Sequence, residues 1–153
     1  MYPTKFYISS GFGIDEFPLV SFDSALINAR IANYNLIKIS SILPIGCRLS
    51  EEIDLIEGSP LLTAYGTISS NRIGETIASS VAVGIPEKKD SVGIIMEYSG
   101  VCKKKDAEIV VRKMVEKAMI NHGLPFSTIL SSSIDVTVDQ KKTFTVISAI
   151  SLW

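Results

Sequence analysis

The chain has 153 residues, 46% of them hydrophobic and 20% charged, with a formal net charge of −1. That length suits a single domain with enough apolar residues for its own core, and the lack of a basic excess argues against nucleic acid or a membrane surface as partner. No apolar run approaches the roughly 18 residues of a membrane-span candidate, and Met1–Phe6 lacks the charged-then-apolar order of a signal peptide, so a cytoplasmic protein is the default expectation.

Thr4–Ser10 is aromatic and β-branched and reads as a short strand ended by Gly11-Phe12-Gly13. Ser21-Phe22-Asp23-Ser24 offers helix-start residues, and Asp23 there has an ordinary N-cap reading. Ala25, Ala29 and Ala32 then share one face beside Leu26, the pattern of a small-residue helix that packs closely. Asn33-Tyr34-Asn35 turns into an apolar, strand-like run, Asn35 to Pro44, which carries Ser40-Ser41 into a proline stop. Ser50–Pro60 is irregular and acidic and reads as a surface excursion.

Leu61–Ser70 returns to strand composition, Asn71–Gly74 is a turn, and Glu75–Ile85 is a further strand stopped by Pro86. Glu87–Asp90 reads as a charged hairpin loop leading to Val92–Gly100, a nearly continuous apolar strand with one carboxylate, Glu97. Ala107, Val110, Val111, Met114, Val115, Ala118 and Met119 recur at helical spacing, with Lys103–Lys105 before them and Gly123 after. Ser127–Val138 and Thr143–Leu152 alternate and are β-branched, so with Asp139–Lys142 between them they predict a terminal hairpin. The sum is an α+β chain in which sheet outweighs helix.

Cys47 and Cys102 are far apart and read as buried or incidental thiols, and the lone His122 reads as a helix end, so a histidine triad and a multi-histidine zinc site are excluded. Three features then need one explanation: Ser40-Ser41 at a strand end, Glu97 inside an apolar strand, and no ordinary catalytic equipment. A carboxyl among Ile94, Ile95, Met96 and Tyr98 should be desolvated, with its pKa raised toward the working pH. A solvent-facing strand residue or a partner for a lysine is the other reading of Glu97.

Phe22-Asp23-Ser24-Ala25-Leu26, then Asn35 to Pro44, Thr63-Ala64-Tyr65-Gly66, Gly74-Glu75-Thr76-Ile77 and Ile95-Met96-Glu97-Tyr98 occur in this order. On these segments the sequence resembles the pyruvoyl-dependent arginine decarboxylases, from about residue 20 to Trp153. The loop from Ile45 to Pro60 does not obviously follow that family.

The resemblance implies a self-cleaving proenzyme with a sheet-rich αββα-type sandwich of mixed and antiparallel strands and helices packed outside. It implies a cut between Ser40 and Ser41, giving fragments of residues 1–40 and 41–153. Ser41 would become a covalent pyruvoyl group that forms a Schiff base with arginine, and the products would be agmatine and carbon dioxide. Glu97 would be the proton donor, Asn35 a further catalytic residue, and Asp23 the contact for the substrate guanidinium, which a carboxylate matches by paired hydrogen bonds. Ser40, Leu26 and Ile42 would complete the substrate site, although plain core packing accounts nearly as well for Leu26 and Ile42.

Asn35 and Ser41 lie six residues apart, roughly 20 Å along an extended strand. That separation favours sites built between subunits, in keeping with the homotrimer, or dimer of trimers, that the resemblance implies. A pyruvoyl decarboxylase of another amino acid such as histidine, and a non-catalytic trimeric homologue, remain open on sequence alone.

Overall fold

Alternating apolar residues along the strands and helically spaced ones in two segments each need a covering layer, and the chain meets that need with four layers. The computed structural model describes residues 2–153. Its elements in order are β1 (Lys5–Asp15), α1 (Pro18–Asn28), β2 (Asn35–Lys38), β3 (Ile42–Leu43), β4 (Arg48–Leu49), β5 (Pro60–Ser70), β6 (Thr76–Pro86), β7 (Gly93–Gly100), α2 (Lys104–Asn121), β8 (Phe126–Thr137) and β9 (Thr143–Leu152). The first sheet runs β2-β5-β9-β1-β4 and the second β3-β7-β6-β8. β2 lies parallel to β5 and β4 parallel to β1, while the remaining pairs are antiparallel. α1 covers the outer face of the first sheet and α2 that of the second.

Two apolar clusters fill the space between the sheets. Phe6, Leu43, Val81, Val83, Ile95 and Ile150 lie toward one end, and Ile77, Val138, Phe144 and Val146 toward the other. A band of small polar residues separates them. Ser10 Oγ is 2.9 Å from Ser148 Oγ and 2.7 Å from Ser132 Oγ across the gap. Ser99 donates to Ser79 at 2.8 Å, and Ser79 donates to the Gly66 carbonyl at 2.9 Å. The hydroxyls satisfy one another, so the band ties the two sheets together without leaving orphaned polar groups.

β1 does not stop at Gly11 but runs on to Asp15. The glycines there mark a close approach rather than a strand end. A Cβ on Gly11 would run into the backbone of Ala25 and Ala29, and one on Gly13 into that of Ser21 and Ala25. α1 therefore lies almost directly on the β1 backbone.

The helix also starts earlier than the sequence suggests, at Pro18, with Phe17 at the N-cap and no side-chain cap. Proline suits that position because its missing N–H would have no partner in the first turn. Ser21 is instead a buried clip, donating to the Gly13 carbonyl at 3.1 Å and the Thr143 carbonyl at 2.9 Å. Asp23 consequently sits inside the helix, exposed, and is not its cap.

The terminal hairpin is not formed. β8 pairs with β6 in the second sheet, and β9 pairs with β5 and β1 in the first, so Asp139–Lys142 crosses between sheets. Nearly every residue of β9 is buried, because it is the central strand with layers on both faces. The 45–60 segment is also more than an excursion. Ile53 and Leu55 pack beside α1, Trp153 donates to Asp54 at 2.6 Å, and Lys5 pairs with Asp54. No helix among the described residues is long and apolar enough to cross a membrane.

Candidate active site

The segment around the two serines is where the chain changes sheets. β2 pairs in parallel with β5 from Asn35 to Lys38, and the Ile39 amide adds one more bond to the Thr63 carbonyl at 3.1 Å. Two residues later the Ser41 carbonyl accepts the Ile95 amide at 2.7 Å, which begins the pairing of β3 with β7. The Ser40–Ser41 peptide bond is therefore the bridge between the two sheets. Ser40 is exposed and Ser41 half-buried. Neither hydroxyl has a hydrogen-bond partner among the described residues.

The same register brings Glu97 alongside. Ile42 faces Ile94, so Ser41 falls beside Ile95, and Glu97 is two residues farther along β7, roughly 7 Å. Glu97 is the register partner of Val81 and so points between the sheets, as Ile95 does. Opposite its stem is Gly66 of β5. Burial raises the Glu97 carboxyl above the ordinary carboxylate range, and the charge of Lys38 offsets part of that rise. The acid thus keeps its proton to a higher pH than an exposed glutamate would.

Lys38 and Tyr65 escaped notice in the sequence. The Lys38 ammonium lies 4.6 Å from the centroid of the Tyr65 ring, a cation–π distance, and that ring tilts against Phe22 of α1. Lysine in one strand beside a tyrosine of the neighbouring strand, far along the chain, leaves no local sequence signal. Gly66 did leave one, since an interior strand glycine often marks a close approach.

The other candidate residues are spread out. Asn35 lies at the far end of β2 from Ser41, opposite Pro60, and its side-chain amide donates to the Gly58 carbonyl at 2.8 Å. Asp23 is exposed on α1 with no ion-pair partner among the described residues. Leu26 is buried under α1 with Leu61, Ile147 and Ala149, and that packing accounts for it without a ligand. Ile42 is an exposed apolar residue directly after the serine pair. A cleft of about 390 Å³ opens nearby against Leu43, Pro44, Cys47, Arg48 and Lys88, but Ser41 and Glu97 do not line it. Within it, burial pushes the Cys47 thiol up to about 11, which keeps it protonated and unreactive.

The residues present fit a pyruvoyl group. Position 41 carries a serine, the residue type from which such a group can form, at an anchored but uncovered bond, and a desolvated acid stands beside it.

Comparison with known proteins points to the same family that the sequence resembles. The family model for pyruvoyl-dependent arginine decarboxylase matches residues 5–153. A pyruvoyl-dependent arginine decarboxylase of Methanocaldococcus jannaschii is 40% identical over 151 residues, covering 99% of this chain and 90% of the relative. Relatives of the same name from Thermococcus kodakarensis and Pyrococcus horikoshii are 36% and 38% identical, covering 91% and 80% of this chain and 88% and 78% of their own lengths.

Proposed function

The chain belongs to the pyruvoyl-dependent arginine decarboxylase family, and from that premise we propose that it cuts itself between Ser40 and Ser41, that Ser41 becomes the pyruvoyl group, and that Glu97 is the proton donor. The reaction is the decarboxylation of L-arginine to agmatine and carbon dioxide. The observation that carries the residue assignment is the bridging position of the serine pair, anchored through Ile39 to one sheet and through the Ser41 carbonyl to the other.

A serine hydroxyl is a weak nucleophile and needs its target presented to it. Here the peptide is pinned on both sides while the Ser41 hydroxyl has no competing intrachain partner. Its oxygen attacks the Ser40 carbonyl carbon, and the amide becomes an ester as the Ser41 nitrogen takes the proton. Loss of the Ser41 α-proton then expels Ser40 as a carboxylate. Water replaces the nitrogen at position 41, and ammonia leaves.

The resulting carbonyl supplies the electrophile and electron sink that amino-acid decarboxylation needs. The protein's share is position and a proton. Glu97, whose buried setting favours its protonated form, delivers that proton to the substrate α-carbon after carbon dioxide has gone. Asp23 presents its carboxylate to the guanidinium, and Ile42 gives an apolar wall.

Asn35 serves the site of a neighbouring subunit in a homotrimer. Its distance along β2 from Ser41 supports that assignment, as do the exposed apolar side chains of Leu19, Val20, Ile37 and Ile42 on α1, β2 and β3.

Intact mass under denaturing conditions tests the cut: fragments of residues 1–40 and 41–153 are expected, the larger without an N-terminal amine. A chain that stays whole after prolonged incubation contradicts self-cleavage. Labelled arginine and histidine, assayed in parallel for carbon dioxide, test the substrate; release from histidine alone would overturn the assignment to arginine.

A further inference from the structure

We infer that Gly66 is a positioning residue for decarboxylation: by presenting no side chain to the space between the sheets, it gives the stem of Glu97 its place. This rests on the reading of Glu97 as proton donor. A Cβ built on Gly66 would lie 3.2 Å from both Cβ and Cγ of Glu97 and 2.9 Å from Ser99 Oγ. Those separations are too short to be absorbed without movement, so something would have to yield.

The strands themselves are poorly placed to do so. β5 is held at this point by β9 through the Gly66–Ser148 register. β7 is held by β6 through the Val81–Glu97 register. At this same point the sheets are tied to each other, because the fully buried Ser79 donates to the Gly66 carbonyl at 2.9 Å and accepts from Ser99 at 2.8 Å. The movable parts are side chains: the Ser99 hydroxyl, which is already engaged with Ser79, and the Glu97 side chain beyond its Cβ. An alanine at position 66 turns that stem away from the gap, and the carboxyl goes with it.

Alanine in place of an interior strand glycine otherwise favours the strand, since glycine there packs nothing and gives up more backbone freedom. A purely structural role for Gly66 therefore predicts a folded enzyme with ordinary turnover. Displacement also has a signature in pH. β5 faces Glu97 with Gly66, β6 with Val81, and β7 itself with Ser99; the charged group acting on the carboxyl is Lys38 from β2. Moving the carboxyl toward water lowers its raised pKa, so the alkaline fall in rate, where the donor loses its proton, moves to lower pH.

The experiment compares Gly66→Ala, Ser99→Ala, the double variant and Glu97→Gln, with kcat expressed per cleaved chain. Gly66→Ala is expected to lower kcat about ten- to a hundredfold, the scale of a small misplacement of a catalytic group, and to move the alkaline limb to lower pH. The same loss is expected in the Ser99→Ala background. That background removes the tightest contact and keeps the test alive where the single variant folds poorly.

If the double variant matches Ser99→Ala, the effect ran through Ser99 and the inference fails. If Gly66→Ala matches wild type while Glu97→Gln is inactive, the inference fails and the proton-donor reading stands. Wild-type turnover by Glu97→Gln removes both.

Discussion

The Ser41 carbonyl accepts the Ile95 amide at 2.7 Å, and that bond attaches the chain to the second sheet just after the Ile39 amide has made its last attachment to the first. The bond proposed to be cut is therefore one whose loss would release neither side. Residues 1–40 contribute β1, which pairs with β9 at ten positions, and β2, which pairs with β5 at four. Cleavage is expected to leave a folded, non-covalent complex. Under native conditions the two fragments should elute together in size exclusion, and in denaturant they should separate. Ser41→Ala should give one uncut band under both conditions. Spontaneous shedding of residues 1–40 from the native protein would contradict this account.

Glu97 sets function against stability. Its folded pKa is raised by burial, so between the ordinary carboxylate value and that raised value the unfolded chain gives up a proton that the folded chain keeps. Stability consequently falls as pH rises through this window, and above it the folded protein carries a desolvated charge. Glu97→Gln removes that cost. The variant should lose decarboxylation by orders of magnitude while melting at a temperature equal to or above wild type at neutral pH, with the advantage gone at acidic pH, where Glu97 is protonated in both states. Paired thermal scans and carbon dioxide assays across pH check both halves.

Much of the fold and part of the site were legible in the sequence, and the failures share a cause. Long periodic segments such as α2, β5 and β6 fall close to where their patterns put them, because local periodicity determines which face is buried. β8 and β9 also exist as read, but their pairing does not follow from it. A four-residue polar turn serves a hairpin or a crossing between sheets equally well, and only the long-range partners β1, β5 and β6 decide.

At the candidate site, Ser40, Ser41 and Glu97 stand out in the sequence because each breaks a local pattern. Lys38 acting on Glu97 depends on how two sheets stack, which no single segment encodes, and so does the identity of the residue that Gly66 approaches. The glycines of β1 were misread for the same reason: their meaning lies in the helix that lands on them.

Gly13 makes that last point measurable. A Cβ there would strike the backbone of Ser21 and Ala25, which cannot turn aside as a side chain can. Gly13→Ala should force α1 away from β1 and destabilise the protein by about 1–3 kcal/mol, the usual range for overpacking. In a chain of this length that corresponds to a lowering of the melting midpoint by roughly 2–4 °C per kcal/mol. Because α1 carries Asp23, the same variant should raise KM for arginine. An unchanged midpoint would mean that the close helix–strand contact is not maintained in solution.

Asn35 supplies the test of sites shared between subunits. Within one chain it sits at the opposite end of β2 from Ser41, with its amide engaged at Gly58. If it acts on a neighbour's site, each site draws Ser41 from one chain and Asn35 from the next around a ring. Asn35→Ala and Ser41→Ala are each expected to be inactive alone, the first because every site lacks the amide and the second because no chain can form its pyruvoyl group. Asn35→Ala should still cut itself, which separates its defect from maturation. Co-expressed in equal amounts, the two variants assemble mixed rings in which some sites combine an intact Ser41 with an intact Asn35. With random mixing, about a quarter of wild-type sites should be restored. If Asn35 serves its own chain instead, no mixture regains activity, because one residue or the other is always missing from every site.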